Sequence, residues 1–305
     1  MIFMIKITNA DKSLALGVNL QGGSISYFKI KNKFNKKKFN LLRPEKKIKG
    51  KFNIIKTAGF PLTPFCNRID RNSFVYKGKK YFLKNNTDLG KYYLHGDGWL
   101  NKWKVKKFTK SSIQLFYKKN LSYDSPYSYL SNLQFILNQN SLKINLSVKN
   151  LNKVSLPFGL GFHPYFPKNE FTLLKAKSDT HWIENKDYIP KKIIKNIKKM
   201  NFNIANTLPN FWTNNCFNNW SSRAKIIWPD QKLMLNINSS KNCKFFFLHV
   251  SSKKFEKNFK NDYFCFEPMT HAVNAHNMKT KRGLINLDKN QLLEISINFK
   301  ISQLS

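Results

Sequence analysis

LKINLSV, at residues 142–148, alternates strictly between apolar and polar side chains, and LEISINFKI, at residues 293–301, repeats the pattern. Successive side chains of a β-strand point to opposite faces, so each stretch would bury one face and leave the other in water. Similar runs of strand length recur along the chain, with turn residues such as Gly22-Gly23 between them. The pattern therefore predicts an all-β fold, a large antiparallel sandwich or barrel.

Helical patterning is weak in comparison. The best helical candidate, residues 191–200, is short and rich in lysine, and it could equally be a solvated loop. We find no internal repeat and no low-complexity linker, and a length of 305 residues suits one large domain. We therefore expect residues 1–305 to form a single domain with few, short helices.

The charge is the most unusual feature of the composition. The chain has 54 Lys and Arg against 16 Asp and Glu, a net charge of +38, and only five of the basic residues are arginine. Such a charge raises nucleic acid as a partner, but no zinc-finger, recognition-helix or aromatic RNA-platform motif is present. Abundant Lys, Asn, Ile and Phe are typical of AT-rich coding sequences. We expect no specific nucleic-acid partner, only incidental, salt-sensitive binding of polyanions.

The chain ends and the cysteines bear on location. The apolar N-terminal stretch stops at Lys6 without a cleavage site, and no run reaches the roughly 18 apolar residues that span a bilayer. The four cysteines form no Cys-x-x-Cys pair, so neither a zinc site nor a redox motif is indicated. We expect a cytoplasmic protein with free thiols and no membrane partner.

Three segments depart from ordinary strands and loops. The first is GFPLTPFCNR at residues 59–68, followed by HGDGW at 95–99; the second is LPFGLGFHPYFP at 156–167; the third is FCFEPMTHAVNAHN at 264–277. Each places one or two titratable groups among aromatic residues, proline and glycine. Sugar sites are commonly built in this way, with flat apolar surfaces for the ring and a few polar groups for the hydroxyls.

In this order, the segments resemble the aldose 1-epimerase (galactose mutarotase) family over most of the chain. The matching features are Pro-x-x-Pro-x-x-Asn-Arg-Ile, His-Gly followed by Trp, Phe-His-Pro-Tyr-Phe, and Glu-Pro-Met-Thr-His. The resemblance implies a large antiparallel β-supersandwich, in agreement with the strand pattern. It also implies an isomerase that interconverts the α and β anomers of an aldohexose, with no metal and no cofactor. The partner would be a monosaccharide, and the protein a monomer or a homodimer.

The resemblance also implies residue roles. Glu267 is expected to take the proton of the anomeric hydroxyl, and His163 to protonate the ring oxygen as the ring opens. His95 is expected to act with this catalytic pair, and Arg68 to bind the sugar. The chemistry needs such groups, because ring opening requires a base on one side and an acid on the other. Burial near Phe and Pro would raise the pKa of the Glu267 carboxyl.

One position departs from the family pattern. Many members carry an Asp, in an Asp-x-x-Phe segment, that binds sugar hydroxyls, and the matching residue here is Asn214, with Asn215 next to it. An amide keeps an acceptor oxygen but loses the charge, and charge-assisted hydrogen bonds are about twice as strong as neutral ones. Asn214 is therefore predicted to bind substrate with an altered sugar preference.

Other functions stay open at this point. A hexose-6-phosphate mutarotase would need a basic phosphate pocket, and abundant lysine cannot decide the question. A non-catalytic carbohydrate-binding sandwich could keep the fold without the activity. Two histidines and one carboxylate, His95, His163 and Glu267, could also bind a metal ion, although tightly spaced ligand pairs are lacking. His249 matches no motif and is interpreted as structural.

Overall fold

The structure is a computed structural model and describes residues 4–31, 37–280 and 282–304. The described residues form 24 β-strands: β1 (Met4–Thr8), β2 (Leu14–Asn19), β3 (Ser24–Lys31), β4 (Lys38–Leu42), β5 (Gly59–Leu62), β6 (Ser73–Tyr76), β7 (Lys79–Phe82), β8 (Lys104–Phe108), β9 (Ser112–Lys119), β10 (Tyr129–Leu137), β11 (Ser141–Asn150), β12 (Leu156–Phe158), β13 (Gly161–Pro167), β14 (Leu173–Ala176), β15 (Thr180–Glu184), β16 (Pro190–Lys195), β17 (Asn206–Thr207), β18 (Thr213–Asn218), β19 (Arg223–Trp228), β20 (Leu233–Ser239), β21 (Phe245–Val250), β22 (Tyr263–Met269), β23 (Ile285–Leu287) and β24 (Leu292–Gln303).

Helical structure in the same ranges is confined to six single 3-10 turns: Ile54–Lys56, Asp70–Asn72, Gly98–Leu100, Lys198–Met200, Pro229–Gln231 and Ala275–Asn277. No helix there is long and apolar enough to cross a membrane. The four cysteines are buried free thiols, as expected.

Two large sheets make up the fold. The larger sheet has 11 strands, in the order β1-β2-β3-β5-β13-β22-β21-β18-β15-β16, with β4 paired to β3. The smaller sheet has nine, in the order β17-β14-β19-β20-β24-β11-β10-β9-β8, and two hairpin-sized sheets, β12-β23 and β6-β7, lie beside them. Neighbouring strands pair in an antiparallel manner throughout. The predicted all-β, antiparallel supersandwich with few short helices is confirmed.

The two alternating stretches of the sequence are neighbours in the smaller sheet. β11 contains residues 142–148 and β24 contains residues 293–301, and their register places Ile144 opposite Ile297. The apolar members of both stretches are buried, with at most 5% of each residue exposed. One face of this sheet therefore contributes a continuous apolar layer, as the alternation predicts.

The first half of the segment 191–200 is neither a helix nor a solvated loop. β16 covers Pro190–Lys195 and pairs with β15 at the edge of the larger sheet, and a 3-10 turn follows at Lys198–Met200. The β-branched pair Ile193-Ile194 favours an extended backbone, and lysines on an edge strand discourage pairing with another chain. Pairing with β15 thus determines the conformation of a segment whose local sequence pattern is ambiguous.

Alternation along β13 determines where the site can lie. Phe162 packs against Phe135 of β10 and Phe166 against Phe299 of β24, with ring centroids 6.2 and 5.8 Å apart. The even-numbered residues of β13 therefore face the smaller sheet. Because successive side chains alternate, His163 and its odd-numbered neighbours face the opposite side of the larger sheet, away from the sandwich core.

Candidate active site

A cavity of about 380 Å³ lies on that opposite side of the larger sheet. Its volume is in the range of pockets that enclose small molecules. All five residues that the sequence singled out line it: Arg68, His95, His163, Asn214 and Glu267. Three of them lie on strands of the larger sheet and two in the segments that precede and follow the β6-β7 hairpin. The fold therefore brings together residues from distant parts of the chain.

His163 and Glu267 lie opposite each other on neighbouring strands. β13 and β22 pair with Gly161 opposite Met269, and two residues further into each strand are His163 and Glu267. Nε2 of the imidazole is 3.2 Å from Oε1 of the carboxyl group. Both backbones belong to the centre of the sheet, so the contact rests on rigid elements.

Burial determines the electrostatics of this pair. Glu267 is 1% exposed, and loss of hydration raises the pKa of its carboxyl well above the ordinary value, with Arg68 opposing the change. Burial likewise lowers the pKa of His163 well below its ordinary value, helped by nearby His249 and Arg43. Oε2 of Glu267 and Nδ1 of His163 are buried without a hydrogen-bond partner among the described residues. Such orphaned polar atoms indicate groups that serve a ligand.

Two aromatic rings hold the His163 imidazole. It packs against Phe60 and Tyr165, with ring centroids at 4.6 and 4.7 Å, and these two rings also contact each other at 6.2 Å. Arg43 packs over the Tyr165 ring, its Cζ 3.8 Å from the ring centroid, and donates to the carbonyl oxygen of Thr57. Arg43 was not predicted from the sequence. The scarcity of arginine in this lysine-rich chain is the one signal that could have indicated it.

His95 is held in a defined tautomer. The backbone N–H of Asn67 donates to Nδ1 of His95 at 3.0 Å, and the backbone N–H of His95 donates to the backbone carbonyl oxygen of Asn67 at 2.9 Å. Nδ1 is therefore an acceptor, and the remaining proton of the neutral ring is on Nε2. Burial lowers the pKa of His95 well below its ordinary value, as do the charges of His163 and Arg68. The ring is a neutral donor towards the cavity.

Arg68 presents its guanidinium group at the side of the cavity. Its closest polar contacts are two hydrogen bonds of 3.5 Å, to the carbonyl oxygen of Leu89 and to Oδ1 of Asn67. Its Cζ lies 4.9 Å from the centroid of the Tyr188 ring. Burial lowers its pKa, and the Glu184 carboxylate opposes that change. The long contacts leave much of the guanidinium hydrogen-bonding capacity for a ligand.

Asn214, and not its neighbour, faces the cavity. Nδ2 of Asn214 donates to Glu184, and its Oδ1 is 3.1 Å from Nδ1 of His249. Asn215 points elsewhere and donates to the carbonyl oxygen of Trp182. His249, which was interpreted as structural, also lines the cavity. Neither Glu184 nor His249 was predicted, because neither lies in a recognisable motif.

Aromatic side chains supply the apolar surfaces. Phe60 and Trp99 stack with centroids 5.2 Å apart at the buried end of the cavity. Tyr188, Trp212 and Phe255 form a second group at its other side, with Trp212 5.7 Å from Tyr188 and 5.1 Å from Phe255. Flat rings that flank a few polar groups suit the faces of a pyranose.

The same centre has the donor set of a metal site. Ligand atoms of His95, His163 and Glu267 all lie within 4.8 Å of one another. His95 is poorly prepared for this role, because Nδ1 accepts from the backbone N–H of Asn67 and the proton of the neutral ring occupies Nε2. Two imidazoles and one carboxylate are a known combination for iron and zinc, so metal content is a property to measure on the purified protein.

Comparison with known proteins agrees with this geometry. The family model for aldose 1-epimerase matches residues 4–300. The Escherichia coli K12 protein named "Uncharacterized protein YphB" is 34% identical over 282 residues, 92% of this chain and 93% of that protein. A crystal structure from Escherichia coli K12, described with a provisional assignment as an aldose 1-epimerase, has 30% identity and a TM-score of 0.92 over 100% of both chains.

More distant structures share the fold. A GalM/aldose epimerase homologue from C. elegans is 17% identical, with a TM-score of 0.84 over 100% of both chains. A galactose mutarotase-like protein from Clostridium acetobutylicum is 17% identical, with a TM-score of 0.80 over 99% of both chains. The family model, the relative that matches over nearly its whole length and the fold all agree. The chain belongs to the aldose 1-epimerase family.

Proposed function

We propose that the protein is an active mutarotase that interconverts the α and β anomers of a free aldohexose. The observation that supports this most directly is the contact between the Glu267 carboxyl and the His163 imidazole inside a cavity of sugar size. Anomer exchange needs a base and an acid a few ångströms apart, and membership of the family makes this chemistry the first to test.

The proposed reaction moves one proton at each residue. The Glu267 carboxylate takes the proton from the hydroxyl on C1 while the C1–O5 bond breaks and a C1 carbonyl forms. His163, in its protonated form, donates its proton to O5, which becomes a hydroxyl. Rotation about C1–C2 turns the other face of the aldehyde to O5, and the reverse transfers close the ring. The second half therefore restores both residues to their starting protonation states.

His95 and Arg68 are proposed to hold the sugar. His95 is fixed as an Nε2–H donor by Asn67, so it can donate to a ring or hydroxyl oxygen without a tautomer change. Arg68 offers several N–H groups in one plane and can bind two oxygens together. Because these groups are positioned before the sugar arrives, little reorganisation is needed in the transition state.

The charges that line the cavity favour an unphosphorylated sugar. Arg68 and Lys56 are the cations among the described lining residues, Asp88 and Glu256 offset them, and burial works against a further charge on Glu267. Lys56 is already paired with Glu256. A phosphate group would need a site with surplus positive charge, and the described lining has none. The hexose-6-phosphate alternative therefore has no support from the charges at this site.

Polarimetry of freshly dissolved α-D-glucose and α-D-galactose tests the proposal. We expect equilibration faster than in buffer, and a rate reduced about 10²- to 10⁴-fold in Glu267→Gln, the usual effect of removing a general base. The control is Glu294→Gln, an exposed carboxylate on β24, which should leave the rate unchanged. Equilibration no faster than in buffer across several aldoses would overturn the proposal and favour a non-catalytic binding protein.

A further inference from the structure

A chain of hydrogen bonds runs along one side of the cavity through four residues: Trp212, Glu184, Asn214 and His249. Nε1–H of Trp212 donates to Oε1 of Glu184 at 3.1 Å, and Nδ2 of Asn214 donates to Oε2 of the same carboxylate. Oδ1 of Asn214 then lies 3.1 Å from Nδ1 of His249. We call this chain the Glu184 relay.

The carboxylate gives the relay a direction. An ionised carboxylate only accepts hydrogen bonds, so the Asn214 amide must turn its NH₂ group towards Glu184 and its oxygen towards His249. That oxygen in turn requires a proton on Nδ1 of His249. The neutral ring then carries no proton on Nε2, which is left as an acceptor.

The surroundings keep His249 in this state. Its ring lines the cavity and packs edge-on against Trp212, with centroids 5.2 Å apart. Burial, together with the charge of Arg68, lowers the pKa of His249 to about 4, so the ring is neutral near pH 7. Nε2 makes no hydrogen bond with any described residue.

Glu184 also restores a charge that position 214 lacks. Position 214 on β18 carries an uncharged amide where the resemblance led us to expect an Asp, and Glu184 on the neighbouring strand β15 brings a carboxylate to that same amide. The negative charge is thus displaced by one strand, and it acts on the cavity through an amide and an imidazole.

We propose that Glu184 and Asn214 are positioning residues that set His249 as a hydrogen-bond acceptor, and that Nε2 of His249 selects sugars with a hydroxyl donor at this end of the cavity. The inference rests on the proposed function. It assigns sugar selectivity to residues outside the acid–base pair, and it explains how the site works without an Asp at position 214.

The first test reads the tautomer without any activity measurement. Histidine ¹⁵N chemical shifts distinguish Nδ1–H from Nε2–H rings, and the spectrum of His249→Gln identifies the His249 signals. We expect an Nδ1–H ring in the wild type. In Glu184→Gln, the new amide accepts from Trp212 and donates to Asn214, so Asn214 turns over and His249 should switch to Nε2–H. A wild-type Nε2–H ring, or no switch in the variant, would overturn the inference.

The second test is a double-mutant cycle on sugar kinetics. Glu184→Gln should raise KM about tenfold and change kcat little, as expected for an altered substrate contact. Asn214→Asp should also raise KM, because it places two carboxylates side by side. In the double variant, the new amide at position 184 accepts from Trp212 and donates to the new carboxylate at position 214. That carboxylate accepts from His249, so every donor again has an acceptor, and KM should return to within about threefold of the wild type.

The outcomes separate the inference from the proposed function. If the increases in KM of the two single variants multiply in the double variant, the residues have a merely structural role and the relay is contradicted. An inactive wild type with the expected tautomer pattern would overturn the mutarotase proposal and leave the relay intact. Glu294→Gln serves again as the control carboxylate and should change neither KM nor the His249 spectrum.

Discussion

Nε2 of His163 lies 3.2 Å from Oε1 of Glu267, on two neighbouring strands near the middle of an 11-stranded sheet. Backbone pairing fixes the register of the two residues, and the rings of Phe60 and Tyr165 fix the plane of the imidazole. A catalytic pair on rigid strands keeps its geometry better than one on loops. The same burial that orders the pair works against its charged forms, and several measurable consequences follow from that conflict.

The pH profile of kcat/KM should be bell-shaped, with the acid His163 titrating on the acidic limb and the base Glu267 on the alkaline limb, the reverse of the usual assignment. The active pair is an ionised Glu267 and a protonated His163, which together hold one transferable proton. Burial lowers the pKa of His163 and raises that of Glu267. The rising acid limb then reports protons lost from His163, and the falling alkaline limb reports the proton lost from Glu267.

His163→Gln provides the check on that assignment. Only the base remains in this variant, so its residual kcat/KM should rise with pH through the Glu267 pKa, where the wild type falls. Polarimetry between about pH 4 and pH 9 gives both profiles. A falling limb that persists unchanged in His163→Gln would show that the pair does not control the reaction.

Glu267→Gln should stabilise the protein at neutral pH. The carboxyl has a raised pKa in the folded state, so above the ordinary value of 4.5 the unfolded chain ionises first and the folded state loses stability as pH rises. The amide of Glu267→Gln cannot ionise, so the variant does not lose stability in this way as pH rises. It also puts no charge at the buried position that Oε2 occupies in the wild type. We expect an increase in Tm of a few °C at pH 7.5, shrinking towards pH 4.

Calorimetry across that pH range measures the difference directly. Glu294→Gln, whose carboxylate is exposed, should show no such pH-dependent gain. A Tm for Glu267→Gln below the wild-type value at pH 7.5 would mean that the carboxylate is stabilising in the folded state, contrary to the effect of its burial.

Gly96→Ala should disturb the site through His95. Gly96 has φ +69°, and a Cβ there would lie 2.3 Å from the carbonyl oxygen of Thr63. The backbone must shift, and His95 next to it would lose its alignment with Asn67. We expect kcat/KM to fall by about 10² or more, since small displacements at a positioned group have effects of that size.

Gly78→Ala is a matched control for this substitution. Gly78 has a similar φ of +75°, but a Cβ there would meet nothing within 4 Å, and the residue lies in the turn between β6 and β7. The two variants share the backbone strain of alanine in the left-handed region. Equal effects on kcat/KM would show that strain, and not the position of His95, explains the loss.

The sequence predicted the parts of this protein that leave a local pattern. Alternation in residues 142–148 indicated β11, and the segments around His163 and Glu267 indicated the acid–base pair through a family resemblance. Glu184 and His249 left no such pattern. They reach Asn214 because β18 lies between β15 and β21, and this lateral order depends on pairings between distant segments that no single stretch of sequence specifies.

Glucose should be turned over at least tenfold better than glucose 6-phosphate, as kcat/KM at 0.15 M salt. A phosphate monoester carries about −1.5 to −2 charges near neutral pH, and the two cations of the described cavity lining, Lys56 and Arg68, are already offset by Asp88 and Glu256. The net charge of +38 does not reverse this preference, because the Debye length at this salt concentration is about 8 Å and exposed lysines act only over short distances. Glu256→Gln releases Lys56 from its ion pair and should reduce the difference in kcat/KM between glucose and glucose 6-phosphate. Equal or better turnover of the phosphorylated sugar by the wild type would contradict this preference and would identify the protein as a sugar-phosphate mutarotase.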